Sequence, residues 1–504
     1  MAHSQGKRRR LVADIVRHGR LQTLPFPLRS GKLLAALTTA SALLLATPGA
    51  ALAANNSSSS SKSANAKTSG TKAAKAAKAG GSRASAKEAR GAKAGSGASK
   101  TQLQAKGKRS AVAADNAGAT RPARKTARTA APLQEASGAE ARLIGVYELF
   151  GRGKTREALA KAQTLVRDHP NFQLAQLVYG DLLAAQVPPS NAMPDTAGIA
   201  RLRGNPAMVE LHEESRRRLQ ALRERPPAGT VPSQFLTLST RSRFAIAVDA
   251  SRSRLYLFEN SDKGLKLVAD YYISVGKSGT DKAVEGDART PLGVYYITSS
   301  LDPRSLKDFY GAGALPINYP NPYDVRRGKT GSGIWLHGTP PQQFARAPLA
   351  SDGCVVMANP DLKQLLRKVQ IGATPVVTAR SLQWISQPQA EKETKKFADS
   401  ITAWKDARAS GNEAQLKKFY LPDFQRASRK PVDADAVLRD ELTYAQGKRV
   451  QIKDTSYLHW RDTEDTMVAT FGEVFEGEKN GRTRRQYWLR QGGEWKLFHE
   501  EILG

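Results

Sequence analysis

One cysteine in 504 residues, Cys354, stands in Ser351-Asp352-Gly353-Cys354-Val355-Val356-Met357, where a small, glycine-containing turn leads into an apolar run. Such a turn projects a thiol from a backbone whose N–H groups stay free, so those around Gly353 and Cys354 are candidate oxyanion donors. A cysteine nucleophile also needs a base within hydrogen-bond reach and a group that orients the base. The chain has seven histidines. His3 and His18 lie in the basic N-terminal segment, His169 precedes Pro170 at a helix end, His212 rides on a charged helix, and His459 and His499 belong to the C-terminal segment. Only His337 closes a buried-looking strand, Ile334-Trp335-Leu336, and Cys354 follows it 17 residues later. The pair predicts acyl transfer through a thioester, with His337 carrying the proton. A metal held by Asp352, Cys354 and His337 is disfavoured, since no two of them have a recognised ligand spacing.

The elements that must position this pair are mostly strands. After Pro226-Pro227 the apolar period changes from helical to two, which predicts strands over 244–249, 255–258, 267–275, 293–299, 333–337 and 374–378. A helix is predicted over 359–369, where Leu362, Leu365, Leu366 and Val369 share a face. Upstream, helical faces run through 143–150, 158–166 and 172–183, and the text KTREALAKAQTLVRDHPNFQLAQ resembles one tetratricopeptide-type repeat. One repeat cannot bury its own faces, so it should dock on a neighbour, with the charged helix 206–225 as the candidate. Downstream, helices over 395–409, 413–419 and 434–444 precede strands over 450–460, 466–476, 483–490 and 494–503. That order predicts an α+β cone, a curled antiparallel sheet wrapped on a helix.

The block IWLHGTPPQQFARAPLASDGCVVMANPDL resembles the L,D-transpeptidase (YkuD-type) catalytic domain, which is marked by a His-Gly, a spacer and a Ser/Thr-His-Gly-Cys turn. The likeness spans about 244–377 and takes in Asp287-Ala-Arg-Thr-Pro-Leu-Gly-Val294, similar to the family's Thr-Pro-x-Gly strand start, and INYPNPYD. The resemblance implies a β-sandwich-like domain with Cys354 as nucleophile and His337 as proton donor and acceptor. It further implies that the Gly338 backbone carbonyl orients the imidazole and that the Gly353 N–H serves the oxyanion. Ser351, Asp352, Tyr319 and Arg346 would contact a peptidoglycan stem peptide. Two positions depart from the pattern: Asp352 replaces the motif's His, and Val356 stands where an Arg is common. Arg304, Arg326, Arg327 or Arg346 could then supply the cation for a substrate carboxylate. An anionic Asp352 would oppose thiolate formation unless its side chain points away. The segment AWKDARASGNEAQLKKFYLPDF with the four strands behind it is similar to nuclear-transport-factor-like (SnoaL-like) domains. Tyr457, Trp460, Tyr487, Trp488 and Trp495 either line a cup there or pack its core. The two domains together resemble cell-shape-determining L,D-carboxypeptidases, so the expected activity is L,D-transpeptidation, with tetrapeptide trimming as the alternative and non-catalytic wall binding as a third reading.

The formal charge of +32 suggests nucleic acid at first, but residues 1–133 carry +22 of it. Lys7 to Lys32 precede an apolar run over 33–46, a break at Pro48-Gly49 and the small-x-small pattern Ala51-Leu52-Ala53, as in an export signal. The organisation expected is a signal peptide or anchor over 1–53, a disordered basic linker over 54–138, a helical subdomain over 139–230, the catalytic domain over 235–385 and the cone domain over 390–504. The protein is thus expected in the periplasm, with no cofactor and no nucleic acid. Its basic arm would lie against anionic envelope polymers, and membrane contact would follow only if the signal is uncleaved.

Overall fold

In the computed structural model, residues 138–186, 205–428 and 432–503 are described. The expected signal and basic linker lie outside them. The described chain begins with three helices, α1 (Gly138–Gly151), α2 (Thr155–Asp168) and α3 (Gln173–Ala184), followed by α4 (Pro206–Arg223). In α2 the apolar spacing puts Ala158, Ala162 and Leu165 on one buried face. Asn205 starts α4 by accepting a hydrogen bond from the Ala207 N–H, with Pro206 in the first turn. The helix docks as expected: Tyr147 of α1 hydrogen-bonds Ser215 at 2.8 Å. Buried Arg218 pairs with Glu140 at 2.7 Å and Glu214 at 2.6 Å.

Strands follow in order: β1 (Thr230–Pro232), β2 (Phe235–Thr237), β3 (Phe244–Asp249), β4 (Arg254–Ser261), β5 (Gly264–Gly276), β6 (Gly293–Tyr296) and β7 (Ala314–Pro316). After α5 (Pro322–Arg326) come β8 (Trp335–His337), β9 (Leu349–Ser351), β10 (Val355–Met357), α6 (Asn359–Leu366) and β11 (Pro375–Ala379). Strands β3 to β11 form one sheet in the order β6-β11-β3-β4-β5-β10-β8-β7, with β9 beside β5, while β1 pairs with β12 (Trp384–Ser386). The sheet curls until its ends meet, through bridges Ile297 to Ile317 and Leu301 to Ala314. Ile246, Val248, Leu255, Leu257, Ile273, Leu336, Val355 and Met357 fill the inner core against Leu362 and Leu365 of α6. The neighbouring positions Ala245, Ala247, Tyr256 and Phe258 point the other way, into a second core. Burial of both faces explains why β3 and β4 read as continuous apolar runs rather than alternating ones.

The second core is shared with the C-terminal segment, through Leu421, Leu458, Trp460, Tyr487 and Phe498. After β12 (Trp384–Ser386), that segment holds α7 (Gln387–Ala409), α8 (Glu413–Lys417), β13 (Tyr420–Arg426), α9 (Ala434–Ala445), β14 (Val450–Arg461), β15 (Asp465–Phe475), β16 (Arg482–Gln491) and β17 (Glu494–Ile502). Its sheet has six strands rather than four, in the order β13-β17-β16-β15-β14-β2. Strand β13 escaped the sequence reading because Pro422 argues against a central strand; it is an edge strand, where proline is tolerated. Strand β2 comes from the stretch expected for the catalytic domain but pairs with Tyr457 and Leu458. Helix α7 starts eight residues before the expected 395, capped by Ser386, whose side chain accepts from the Gln389 N–H. Tyr457, Trp460, Tyr487 and Trp488 are buried. They pack the core rather than line a cup, and only Trp495 remains half-buried.

Candidate active site

Strands β8 and β10 run parallel, with Val355 opposite Leu336 and Val356 opposite His337. Leu336, Val355 and Met357 enter the inner core, so alternation sends His337 and Val356 to the outer face, and Cys354, two residues before Val356, projects with them. At about 4.8 Å between strands and 3.3 Å of rise per residue, the Cα atoms of Cys354 and His337 lie about 8 Å apart. The two side chains can span that gap. His337 is 1% exposed and Cys354 half-buried.

The imidazole is fixed. His337 Nδ1 lies 2.7 Å from the Gly338 carbonyl oxygen. Nδ1–H must be the donor there, which leaves the Nε2 lone pair free to accept a proton. Burial pushes the imidazole down to about 4, against the opposing pull of the Gly338 carbonyl and with help from the Arg346 charge. The thiol moves the other way. Burial raises Cys354, while the Trp335 backbone N–H and Arg346 pull it down and Asp352 pushes it up. The pair therefore rests as thiol and neutral imidazole. The thiol donates to the Gly333 carbonyl at 3.6 Å.

The turn before Cys354 is held from three sides. Ser351 Oγ donates to the Cys354 carbonyl at 2.6 Å and accepts from the Gly353 N–H at 3.1 Å. Thr290 Oγ1 accepts from the Gly276 N–H and donates to the Gly353 carbonyl, both at 2.9 Å. Gly353 has φ +122°, and a Cβ on it would meet the Arg289 carbonyl at 2.7 Å. These bonds correct two expectations. The Gly353 N–H is spent on Ser351, which leaves the Cys354 N–H as the oxyanion candidate of this turn. Ser351 is buried, with its hydroxyl committed to the turn and not offered to a substrate. Tyr319 is corrected likewise: it is buried, and its hydroxyl donates to the Thr330 carbonyl at 3.1 Å.

Asp352 does point away, pairing with Lys277 at 2.7 Å on the surface. Arg326 and Arg327 pair with Asp423 and Asp462 of the C-terminal segment, and Arg304 sits on an exposed turn. Arg346 differs from them. Its side chain is 8% exposed, its guanidinium stacks 4.4 Å from the Phe309 ring, and it feels both Cys354 and Asp352. Among the described residues it has no carboxylate partner. The sequence reading missed the aromatic wall around His337: Tyr310 at 5.1 Å, Phe309 at 5.9 Å, and Trp335 against Tyr310 at 4.8 Å. Its one signal was Phe309-Tyr310, an aromatic pair in a polar, glycine-bounded loop, and Phe309 is indeed exposed. Among the described residues no group of three or more His, Cys, Asp or Glu is placed to hold a metal.

The comparisons bear on this geometry. Among curated proteins none matches the chain. Among solved structures, Bd1075 of Bdellovibrio bacteriovorus is 24% identical over 54% of this chain and 98% of its own, with a TM-score of 0.47. The helical cell shape determining protein Pgp2 of Campylobacter jejuni is 20% identical over 51% and 91%, at 0.42. An NTF2-like protein of Cytophaga hutchinsonii is 16% identical over 22% and 98%, at 0.20. At these TM-scores none of the three carries weight. The family comparison is specific: the L,D-transpeptidase catalytic domain, YkuD, matches residues 243–378, which include β3 through β11 nearly entire and both His337 and Cys354. Residues 243–378 of this chain are an L,D-transpeptidase catalytic domain.

Proposed function

We propose that this protein is an exported cysteine enzyme of the cell envelope that acts on peptidoglycan stem peptides, in wall biogenesis and cell-shape control. The observation that carries the reading is the 2.7 Å bond from His337 Nδ1 to the Gly338 carbonyl, on the sheet face that also bears Cys354. It leaves Nε2 as the base. Nε2 takes the thiol proton as Sγ bonds to the peptide carbonyl carbon, and the Cys354 N–H faces the developing oxyanion. The C–N bond breaks, and the departing D-amino acid leaves with the proton from Nε2. An amine from a second stem then attacks the thioester and gives its proton to Nε2. The C–S bond breaks and the thiol regains that proton. Arg346 holds the carboxylate of the departing residue, because a desolvated guanidinium gains most from an anion. Transfer to an amine is the leading outcome. Transfer to water, which trims tetrapeptide to tripeptide, is the second, favoured by Asp352 and Val356 at positions where the family pattern has other residues.

Defined tetrapeptide muropeptides and mass analysis test the reading. A 3–3 cross-linked dimer shows transfer, and tripeptide plus free D-amino acid shows hydrolysis. Both should vanish in Cys354→Ala. Absence of both products from the wild type rejects an enzymatic role.

A further inference from the structure

Between His337 and Cys354 the chain leaves the catalytic sheet, and the middle of the excursion is gripped by the N-terminal helices. Phe344 is buried in the helical core with Leu165, Phe172 and Leu174. Its ring stacks on Phe172, with centroids 4.2 Å apart and planes at 23°, and His169 meets its edge at 5.3 Å. The backbone is pinned as well. The Phe344 N–H donates to the Asn171 carbonyl at 3.0 Å, and Asn171 Nδ2 donates to the Pro341 carbonyl at 2.9 Å.

Two residues on, a second grip acts on Arg346 itself. Its carbonyl accepts from the Tyr272 hydroxyl at 2.9 Å, and the Tyr272 ring lies 3.9 Å beneath the Arg218 guanidinium. Arg218 is locked by Glu140 and Glu214, and Glu140 also binds Arg254 at 2.8 Å. A buried ion cluster of this kind loses much when one partner moves, so it holds the ring in one place. The loop before Arg346 is thus held by the helices directly, and Tyr272 of β5 is held through Arg218 of α4. We infer that helices α1 to α4 aim the Arg346 guanidinium at the substrate carboxylate, with Phe344 and Tyr272 as the positioning residues. This rests on the carboxylate role given to Arg346 above. A plug that only docked the helices would stabilise the protein without altering what the site recognises.

The test compares a tetrapeptide muropeptide carrying a free C-terminal carboxylate with its C-terminal amide, across wild type, Arg346→Ala, Phe344→Ala and Tyr272→Phe. Loss of a charge-assisted contact corresponds to roughly tenfold to hundredfold in KM. Arg346→Ala should lose that much on the acid alone and become indifferent between acid and amide. Phe344→Ala should move the same way, with kcat little changed. Tyr272→Phe removes one hydroxyl and no core volume, so it keeps the test open if Phe344→Ala fails to fold. It should lower the acid preference about threefold to tenfold. Equal losses on acid and amide, or an unchanged preference in both positioning variants, would overturn the inference while leaving Arg346 in its role. An unchanged preference in Arg346→Ala would remove that role and the inference with it.

Discussion

At neutral pH Cys354 and His337 should rest uncharged, and alkylation by a small neutral reagent reads this directly. Burial lifts the thiol above its ordinary 9.0 and holds the imidazole near 4. The fall of the imidazole from 6.5 to about 4 costs an imidazolium roughly 3 kcal/mol at 1.36 kcal/mol per unit, and the raised thiol opposes a thiolate–imidazolium pair in the same direction. The protonated thiol therefore dominates at pH 7. The iodoacetamide rate at Cys354 should climb about tenfold per pH unit from 6 to 9, with no plateau below the thiol's own inflection. His337→Gln should keep that slope while abolishing turnover, since the imidazole acts during the reaction and not before it. Arg346→Ala should move the inflection up and Asp352→Asn should move it down, the latter slightly because the carboxylate is exposed and paired with Lys277. A flat, fast rate between pH 5 and 8 that vanishes in His337→Gln would refute the reasoning, because only a preformed ion pair behaves so.

Two further outcomes follow from the same contacts. Ser351→Ala removes a buried hydroxyl that both donates and accepts within the nucleophile's turn. It should cost about 2 kcal/mol of stability through the orphaned Gly353 N–H and Cys354 carbonyl, and a larger factor in turnover, read by thermal melting beside the muropeptide assay. Acid should weaken the fold through His337, whose folded value near 4 lies below its ordinary 6.5. Its contribution is present above pH 6.5 and is lost as pH falls through 4, about 3 kcal/mol between pH 7 and 4. His499, also pushed down to about 4 by burial, adds to the loss, so urea midpoints in His337→Gln should retain a reduced acid sensitivity.

How much was legible depended on how locally each feature was written. Six strands of the catalytic sheet, β3 to β6, β8 and β11, were legible as apolar runs between turn residues, the three-residue β7, β9 and β10 were not, and Cys354 with His337 stood out by residue type and setting. The hydrogen bonds that decide what each neighbour does were not legible. Ser351 and Gly353 look available in the sequence, and only three-dimensional closure shows that they are bound to each other. Tyr319 reads as a loop aromatic before proline, but packs inside against Tyr295. Arg346 was one of four arginines that the sequence could not rank. Arg326 and Arg327 find acids more than ninety residues away, and no local pattern announces such partners. Phe344 looked like spacer, because its companions Phe172 and Leu165 belong to a helical segment that the sequence reading kept apart from the reaction.

The outer face of the catalytic sheet explains why those distant segments converge. Going across it, Ala245, Ala247, Tyr256 and Phe258 of β3 and β4 are covered by the C-terminal sheet. Arg254 and Tyr272, paired across β4 and β5, are covered by α1 and α4 through Glu140 and Arg218. Strands β10 and β8 set Val356 beside His337 on the same face, both buried, with the half-buried Cys354 two residues before Val356. The Phe309–Tyr310 pair packs over His337 there. Arg346 stands where the loop crosses from the helical cover to that pair, stacked on Phe309 two residues after Phe344 enters the helical core. On the carboxylate role proposed for Arg346, a substrate with a free carboxylate at the residue to be released should be preferred over an internal peptide bond, which lacks one.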